Sequence, residues 1–261
     1  MTILQKILNK KVNAVAALKK QNSEKELEVI AKQQPPARSL VKAIRSCKHI
    51  PVIAEIKKAS PSRGVILEDA DILNIASQYQ NNGAVAISVL TEQDYFNGCI
   101  DDLKAIRKSI DILVLRKDFI IDPIQIIEAR AAGADSVLLI AAALEFERLQ
   151  SLFDLSKAFG MVPLVEVHNE EELSTVMKLK PELIGINNRN LKTMQVDIQT
   201  SATLRKKIPD SICVVGESGV LTIDQITYLK NEGINAFLIG TALMTSGAPG
   251  KTLKSLNGYR L

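Results

Sequence analysis

The sequence predicts an α/β protein, a single (β/α)8 barrel with an N-terminal helical extension, and three observations support this fold class. Eight short apolar runs rich in β-branched residues recur along the 261 residues. Helical patterns separate them, and this strand-helix alternation indicates a parallel sheet. Polar and charged residues gather at the ends of the runs, where a parallel barrel carries its active site. A doubly wound sheet, the competing fold, more often has fewer strands and an early Gly-rich nucleotide turn.

The predicted strands share a short apolar core bounded by turn or helix signals. They cover residues 52–57, 85–90, 112–117, 136–141, 162–167, 183–187, 212–217 and 237–240. Helical spacing of apolar residues is clearest in 69–83, 100–109 and 222–233. Three helices are expected to end in NNGA, AAGA and NEGI, because glycine fits the left-handed conformation just past a helix end.

Residues 1–48 precede the first strand and have helical character, interrupted at Pro35 and Pro36. We expect this extension to pack on the barrel of residues 49–261 and to cap it or cover its mouth, so that the chain forms one domain. The basic stretch KILNKKVNAVAALKK has amphipathic spacing, and its lysines are expected to form a solvated face.

Composition excludes several classes of function. A net charge of +4 suits an anionic small molecule better than nucleic acid, which favours a concentrated basic stripe. The scattered Cys47, Cys99 and Cys213 predict buried or incidental thiols in a reducing compartment. With no signal-peptide pattern and no membrane-length apolar run, a cytoplasmic protein is expected. His49 and His168 lack metal-ligand spacing, and GxGxxG and Walker motifs are missing, so we expect neither a metal nor a nucleotide cofactor.

The strand ends carry charge that a buried strand would ordinarily avoid. Alternation along a strand puts Glu55 and Lys57 on one face, and unpaired buried charge is very costly. The polar residues at strand ends are Glu55, Lys57, Lys117, Glu166, Asn187, Glu217 and Ser218. Because parallel strands of a barrel converge on one axis, the set predicts an active site.

Two later segments, VVGESGV and FLIGTAL, predict a phosphate site. They follow the seventh and eighth strands, where this fold commonly binds phosphate. Gly219 and Gly240 belong to them, although both could serve as turn glycines only. Arg189 is a further candidate because it follows Asn187 closely. His168 is expected at the surface or as a helix cap.

At this point the residues resemble a known family. The stretch IAEIKKASPSRG is similar to the signature of indole-3-glycerol phosphate synthases, tryptophan-pathway enzymes that form the indole ring. Supporting segments occur in the family's order through the whole chain: ILQKI, PPARSL, SVLTEQDYFNG, LRKDFIID, GADSVLLI, PLVEVHNEEEL, IGINNRNL, VGESGV and FLIGTALM. The resemblance implies ring closure of 1-(2-carboxyphenylamino)-1-deoxyribulose 5-phosphate with loss of carbon dioxide and water. It implies no metal or organic cofactor.

The resemblance also implies roles for the residues at the strand ends. Lys117 would be the general acid that protonates the substrate carbonyl oxygen, and Glu166 would assist dehydration. Lys57 would contact the anionic groups of the substrate and act in dehydration. Glu55 would orient Lys57 or share proton transfers, and Asn187 would hold hydroxyl groups. A lowered pKa would suit Lys117 as an acid near neutral pH, and burial or neighbouring cations such as Lys57 could supply it. Nearby carboxylates act in the opposite direction, so Lys117 and Glu166 are expected to titrate as a coupled set, and the sequence leaves the direction of the shift open.

Further positions match the family's binding residues. Glu217 falls on a matching position of the seventh strand. The implied substrate-binding residues are Ser60, Phe96, Phe119, Arg189, Ser218, Gly219, Gly240 and Thr241. The departures are small: Thr241 stands where Ser is frequent, Met194 where Leu is common, and NAV at 13–15 where Glu-Val is usual.

Alternative functions stay open on the same barrel. A phosphoribosylanthranilate isomerase would need an Asp/Cys pair, and no cysteine occupies a suitable strand end. A Schiff-base aldolase would need Lys57 or Lys117 as a desolvated nucleophile. A catalytically silent barrel is a third possibility, disfavoured by the intact set of polar strand-end residues. With no second barrel fused to it, the chain is expected to be a monomer.

Overall fold

The computed structural model describes residues 1–67 and 70–260, and its central feature is a closed barrel of eight parallel strands. This confirms the predicted (β/α)8 fold. In chain order the elements are α1 (Ile3–Gln21), α2 (Glu24–Gln33), α3 (Leu40–Ser46), β1 (Val52–Ile56), β2 (Ala59–Ser60), β3 (Gly64–Val65), α4 (Ile72–Asn81), β4 (Ala86–Leu90), α5 (Ile100–Ser109), β5 (Leu113–Lys117), α6 (Pro123–Ala131), β6 (Ser136–Ile140), α7 (Phe146–Ala158), β7 (Leu164–Val167), α8 (Glu170–Met177), β8 (Leu183–Asn187), α9 (Gln199–Arg205), β9 (Cys213–Glu217), α10 (Ile223–Asn231), β10 (Ala236–Ile239), α11 (Thr241–Met244) and α12 (Pro249–Asn257).

The barrel strands follow the order β1-β10-β9-β8-β7-β6-β5-β4, and β4 closes the ring by pairing with β1. Each of the eight barrel strands begins and ends within two residues of its predicted bounds, whereas β2 and β3 were not predicted. The short strands β2 and β3 form a separate antiparallel hairpin in the loop after β1. Asp69, at the start of the predicted helical segment 69–83, lies outside the described residues.

Glycines end several helices as predicted. Gly83, Gly133 and Gly233 have φ values of 80°, 89° and 93°, in the left-handed region that glycine adopts without steric cost. Each turns the chain from a helix toward the next barrel strand.

Two apolar layers hold the barrel together. Outward-facing strand residues pack against the surrounding helices and form the main core. Inward-facing residues fill the lower half of the barrel, where Leu40, Val41 and Ile44 of α3 join them. Arg45 of α3 also donates to the Ser211 carbonyl, just before β9 begins. The helix α3 therefore closes the end of the barrel where the strands start.

The helix α1 lies at the opposite end. Its Ile3, Leu4 and Ile7 line a cavity at the strand ends. Lys11, one turn farther on, is buried and places its Nζ 2.7 Å from Asp118 Oδ1. The expectation of a fully solvated lysine face is therefore wrong for Lys11, because α1 turns this side chain toward a buried carboxylate. The extension covers both ends of the barrel, whereas the boundary at residue 48 stays a prediction.

Among the described residues, no helix combines the length and the apolar character that crossing a bilayer requires.

Candidate active site

A cavity of about 370 Å³ opens at the carboxyl ends of the barrel strands. The structure brings all the site residues predicted from the sequence to this one cavity. Its lining includes Glu55, Lys57, Ser60, Phe96, Lys117, Phe119, Glu166, Asn187, Arg189, Glu217, Ser218, Gly219, Gly240 and Thr241. The lower halves of the strands supply the apolar packing beneath it.

Two glycines make room for the acidic side chains in the barrel. A Cβ added to Gly240 would lie 2.1 Å from Glu55 Oε2, and one added to Gly185 would lie 2.1 Å from Glu217 Oε1. Glu55 is buried and pairs with Lys57, whose Nζ lies 2.5 Å from Oε2. The charge of Glu55 on β1 is therefore paired with Lys57, which follows the strand directly. Gly240, after the neighbouring strand β10, leaves the space that the Glu55 carboxylate occupies.

Lys117 is the centre of the charged group. It ends β5 and reaches across the barrel mouth, so that its Nζ lies 3.1 Å from Glu217 Oε2 and 3.4 Å from Glu166 Oε2. Burial alone lowers the pKa of Lys117, but the charges of Glu217, Glu166 and Glu55 outweigh this effect and raise the pKa above its usual value. The carboxylates therefore decide the direction of a shift that the sequence left open, and the lysine is protonated at neutral pH.

The two carboxylates beside Lys117 differ in their surroundings. Burial raises the pKa of Glu217 to about 8, since the attraction of Lys117 is offset by repulsion from Glu166. Burial also disfavours the charged form of Glu166, but Lys117, His168 and Asn187 together hold its pKa below the usual range. The surroundings therefore favour ionisation of Glu166 over ionisation of Glu217.

His168 differs from the expectation of a surface or capping residue. Its side chain is only 9% exposed, and its Nε2 lies 3.2 Å from Glu166 Oε1. This contact has an ion-pair distance without hydrogen-bond geometry. The ring is turned toward Glu166 because alternation along the strand places residues 166 and 168 on one face, and Glu172 of α8 holds its Nδ1 at 3.0 Å.

A buried polar network supports the end of β5. Asp118 accepts from Thr91 Oγ1 at 2.7 Å and from Arg116 Nη2 at 3.2 Å, in addition to its contact with Lys11. Burial alone raises the pKa of Asp118, but the charges of Arg116 and Lys11 hold it below the usual value. Sequence reasoning missed this network, although the charged Arg116 inside an apolar strand was a signal for it.

One side of the cavity is suited to an anion. Ser218 and Gly219 follow β9 with φ values of 62° and 77°, and Asn188 Nδ2 donates to the Ser218 carbonyl at 3.0 Å. Gly240 and Thr241 follow β10, the strand beside β9, and Lys57 follows β1 on the other side of β10. Three adjacent strands thus contribute small residues, hydroxyl groups and one ammonium.

Another side is apolar and aromatic. Phe96 follows β4 and Phe119 follows β5, and their ring centroids lie 6.2 Å apart. The α1 residues Ile3, Leu4 and Ile7 complete this side of the lining. In the strand order β5 lies across the barrel from β9. The cavity therefore has an apolar part and an anion-compatible part, with Lys117 between them.

The loop after β8 is folded back on itself. The Arg189 backbone N–H donates to Asn187 Oδ1 at 3.0 Å, and Arg189 Nη1 donates to the Met194 carbonyl at 3.0 Å. Burial, followed by the nearby charge of Arg63, lowers the pKa of Arg189. These two guanidinium groups provide positive charge at the rim. In residues 1–67 and 70–260, no three His, Cys, Asp or Glu side chains are grouped as a metal ion would require.

Comparisons with known proteins agree with this geometry. The family model for indole-3-glycerol phosphate synthase matches residues 4–256. The chain belongs to the indole-3-glycerol phosphate synthase family. An indole-3-glycerol phosphate synthase of Dechloromonas aromatica is 46% identical over 257 residues, covering 97% of this chain and 98% of the relative. One from Chloroherpeton thalassium is 45% identical over 249 residues, covering 94% and 96%.

Likeness to solved structures outside the indole-3-glycerol phosphate synthase family extends to the fold alone. A thiamine phosphate pyrophosphorylase from Pyrococcus furiosus is 14% identical with a TM-score of 0.62, covering 84% of this chain and 96% of that one. The family resemblance inferred from the sequence motifs is confirmed by the family model and the curated relatives.

Proposed function

We propose that this chain closes the indole ring of 1-(2-carboxyphenylamino)-1-deoxyribulose 5-phosphate, using Lys117 as the general acid. The observation that carries the proposal is the position of Lys117. It stands between an aromatic side and an anion-compatible side of one cavity, 3.1 and 3.4 Å from two carboxylates. An aromatic carboxylate joined to a sugar phosphate has this same division of chemistry.

Ring closure requires a proton on the carbonyl oxygen as the new carbon-carbon bond forms. The ring carbon that bears the carboxylate attacks the ribulose C2 carbonyl, and negative charge develops on the carbonyl oxygen. Lys117, protonated at neutral pH because its pKa is raised, donates the proton that converts this oxygen to a hydroxyl. Loss of carbon dioxide from the same ring carbon then restores the aromatic ring.

Dehydration requires a base and an acid. A proton leaves ribulose C1 while the C2 hydroxyl departs as water, and the five-membered ring becomes aromatic. Glu166, held as a carboxylate, accepts the C1 proton in this proposal. Lys57, kept in place by Glu55 at 2.5 Å, protonates the departing hydroxyl. Glu217 shares protons with Lys117, and Asn187 holds the glycerol hydroxyl groups.

The phosphate is assigned to Lys57 and to the loops after β9 and β10. Ser218 and Thr241 supply hydroxyl donors there, and the backbone N–H groups of Gly219 and Gly240 are assigned as further donors. Ser60, Phe96 and Phe119 enclose the anthranilate ring, and Arg189 attracts its carboxylate. In this assignment the anion-compatible side of the cavity binds the phosphate, and the aromatic side binds the anthranilate ring.

The rival functions fit these residues less well. A Schiff-base aldolase needs an uncharged lysine, whereas the surrounding carboxylates raise the pKa of Lys117. A phosphoribosylanthranilate isomerase needs a cysteine in the site, but none of Cys47, Cys99 and Cys213 is among the described residues that line the cavity. Acid-base catalysis of ring closure is therefore the function that the site supports best.

The test is turnover by the purified chain, without added metal or cofactor and in the presence of a chelator. Substrate is mixed with enzyme, and the indole product is followed by its fluorescence, with heat-denatured chain as the control. Product formation supports the proposal. Substrate binding without product would reject the catalytic assignment. A lack of binding would reject the assignment of the cavity as the binding site for this substrate.

We also propose that the chain works as a cytoplasmic monomer. Its free thiols Cys47, Cys99 and Cys213 suit a reducing compartment. A single barrel already contributes all the residues assigned to the site. Light scattering at micromolar concentration is expected to give the 28.6 kDa of one chain, and a dimer mass would contradict the monomer.

A further inference from the structure

His168 lies behind the cavity rather than in its lining. Its ring is enclosed between two carboxylates, with Nε2 3.2 Å from Glu166 Oε1 and Nδ1 3.0 Å from Glu172 Oε2. A buried imidazole between two acidic groups is stabilised as the doubly protonated cation. His168 contacts no substrate atom in the proposed reaction, so the positive charge on its imidazole needs another explanation.

The start of α8 fixes the position of the ring. Glu172 Oε2 also accepts from the His168 backbone N–H at 2.8 Å, and its Oε1 accepts from Asn169 Nδ2 at 2.6 Å. Asn169 in turn caps α8 by accepting from the Glu172 backbone N–H at 2.9 Å. With three hydrogen bonds to its carboxylate, Glu172 is a rigid partner for the imidazole.

We propose that His168, held by Glu172, is a positioning residue that keeps the Glu166 carboxylate ionised and directed toward Lys117. This inference rests on the proposed function, because it concerns the base assigned to dehydration. A positive charge behind Glu166 also distinguishes it from Glu217, which faces the same lysine. His168 therefore determines which of the two carboxylates serves as the base.

The surroundings of the two carboxylates support this distinction. Glu166 faces Lys117 of β5, Asn187 of β8 and Glu217 of β9, in addition to His168. Glu217 meets Lys117 and Glu166, and its Oε1 has no hydrogen-bond partner among the described residues. Burial alone lowers the pKa of His168, but Glu166 and Glu172 outweigh it and raise the pKa to about 10.

The charge of His168 can be measured directly. The chain contains two histidines, so His49→Gln leaves a single imidazole for ¹⁵N nuclear magnetic resonance. His49 is a suitable site for substitution because it contacts the Gly83 carbonyl, away from the cavity. We expect His168 to keep both ring protons above pH 8. Titration near its ordinary pKa of about 6.5 would overturn the proposal.

Kinetics test the consequence for Glu166. His168→Gln removes the cation, so the pKa of Glu166 rises and less of the base is ionised at low pH. The acidic limb of the kcat profile should therefore move upward by about one pH unit or more, or appear within the measured range. Glu172→Gln should produce a smaller shift in the same direction. Glu171→Gln, an exposed neighbour in α8, is the matched control and should leave the profile unchanged.

The outcomes separate this proposal from a structural role and from the proposed function. A lower melting temperature with an unmoved acidic limb in both variants would make the His168–Glu172 pair structural only and overturn the inference. If His168→Gln does not fold, Glu172→Gln and the resonance titration decide the question. If the wild type lacks turnover, the proposed function fails. The ¹⁵N titration then still tests whether His168 carries the positive charge assigned to it.

Discussion

At the scale of single residues, the carboxylates of the site depend on neighbours that have no side chain. Gly240 leaves space for Glu55, and Gly185 leaves space for Glu217. At both glycines, an added Cβ would enter the space inside the barrel that the carboxylate of Glu55 or Glu217 occupies. Neither has a positive φ, so their role is spatial rather than conformational.

Gly185→Ala and Gly240→Ala should each displace the carboxylate that fills the space. We expect kcat/KM to fall more than tenfold and the free energy of unfolding to fall by about 1–3 kcal/mol, as in other overpacked sites. Gly216→Ala is the matched control, because its Cβ would meet its nearest neighbour at an ordinary 3.4 Å. Steady-state kinetics and urea unfolding measure both effects, and equal losses in all three variants would contradict the account.

Glu217 should make stability depend on pH. Its pKa rises from 4.5 to about 8 on folding, so between these values the folded state binds more protons than the unfolded state. The free energy of unfolding should therefore fall as pH increases, by up to about 1.4 kcal/mol per pH unit. His168 adds a fall only above pH 6.5, because its pKa is also raised on folding.

Glu217 should contribute most of this decline between pH 5 and 6.5, and comparison with Glu217→Gln subtracts the groups that begin to titrate at either edge of the window. Urea unfolding of the wild type and Glu217→Gln should show a steeper decline for the wild type, while Glu171→Gln should follow the wild type. Parallel curves for the wild type and Glu217→Gln would mean that this carboxyl titrates normally.

At the scale of elements, α1 is attached to the strand that carries Lys117. Lys11 pairs with Asp118 at 2.7 Å, and both side chains are almost fully buried. Three residues of the same helix line the cavity beside the two phenylalanines. The position of α1 over the cavity is therefore linked to the end of β5.

Lys11→Met should weaken the attachment of α1 to the end of β5, because it removes the ion pair with Asp118. We expect a severalfold rise in KM and a loss of about 1–3 kcal/mol in the free energy of unfolding, since Arg116 still compensates Asp118. Lys10→Met is the control, because Lys10 and its partner Asp94 are about half exposed and an ion pair in contact with solvent adds little to stability. A KM that is unchanged by Lys11→Met would separate α1 from substrate binding.

Sequence patterns predicted elements better than they predicted contacts between them. Short apolar runs rich in β-branched residues, together with glycines at helix ends, located the eight barrel strands because these signals are local. Lys11 and His168 were misjudged because their burial depends on partners from distant or adjoining elements, Asp118 and Glu172. The direction of the pKa shift of Lys117 stayed open for a related reason: it depends on how many carboxylates lie within reach, which only the closed barrel determines.

At the scale of the whole molecule, the barrel separates its stabilising end from its reactive end. The helix α3 fills the end where the strands start, and the charged cavity occupies the other. Leu40, almost fully buried, belongs to the first of these ends. The two ends can therefore be perturbed independently.

Leu40→Ala should cost about 2–5 kcal/mol in the free energy of unfolding, because it leaves a cavity in a packed core. Its kcat and KM should stay within about twofold of the wild type at a temperature where it is folded. Calorimetry and kinetics on the same sample measure this, and the exposed Lys10→Met serves again as the stable control. A large kinetic effect of Leu40→Ala would show that the two ends are coupled.

The central claim is that Lys117 supplies the proton for ring closure, and Lys117→Ala tests it most directly. Calorimetric titration with substrate and single-turnover formation of indole product would be measured on the same preparation. We expect a rate about 10²–10⁴-fold lower, with the dissociation constant changed less than tenfold. Loss of affinity equal to the loss of rate, or a rate that is unchanged, would contradict the role of Lys117 as the acid.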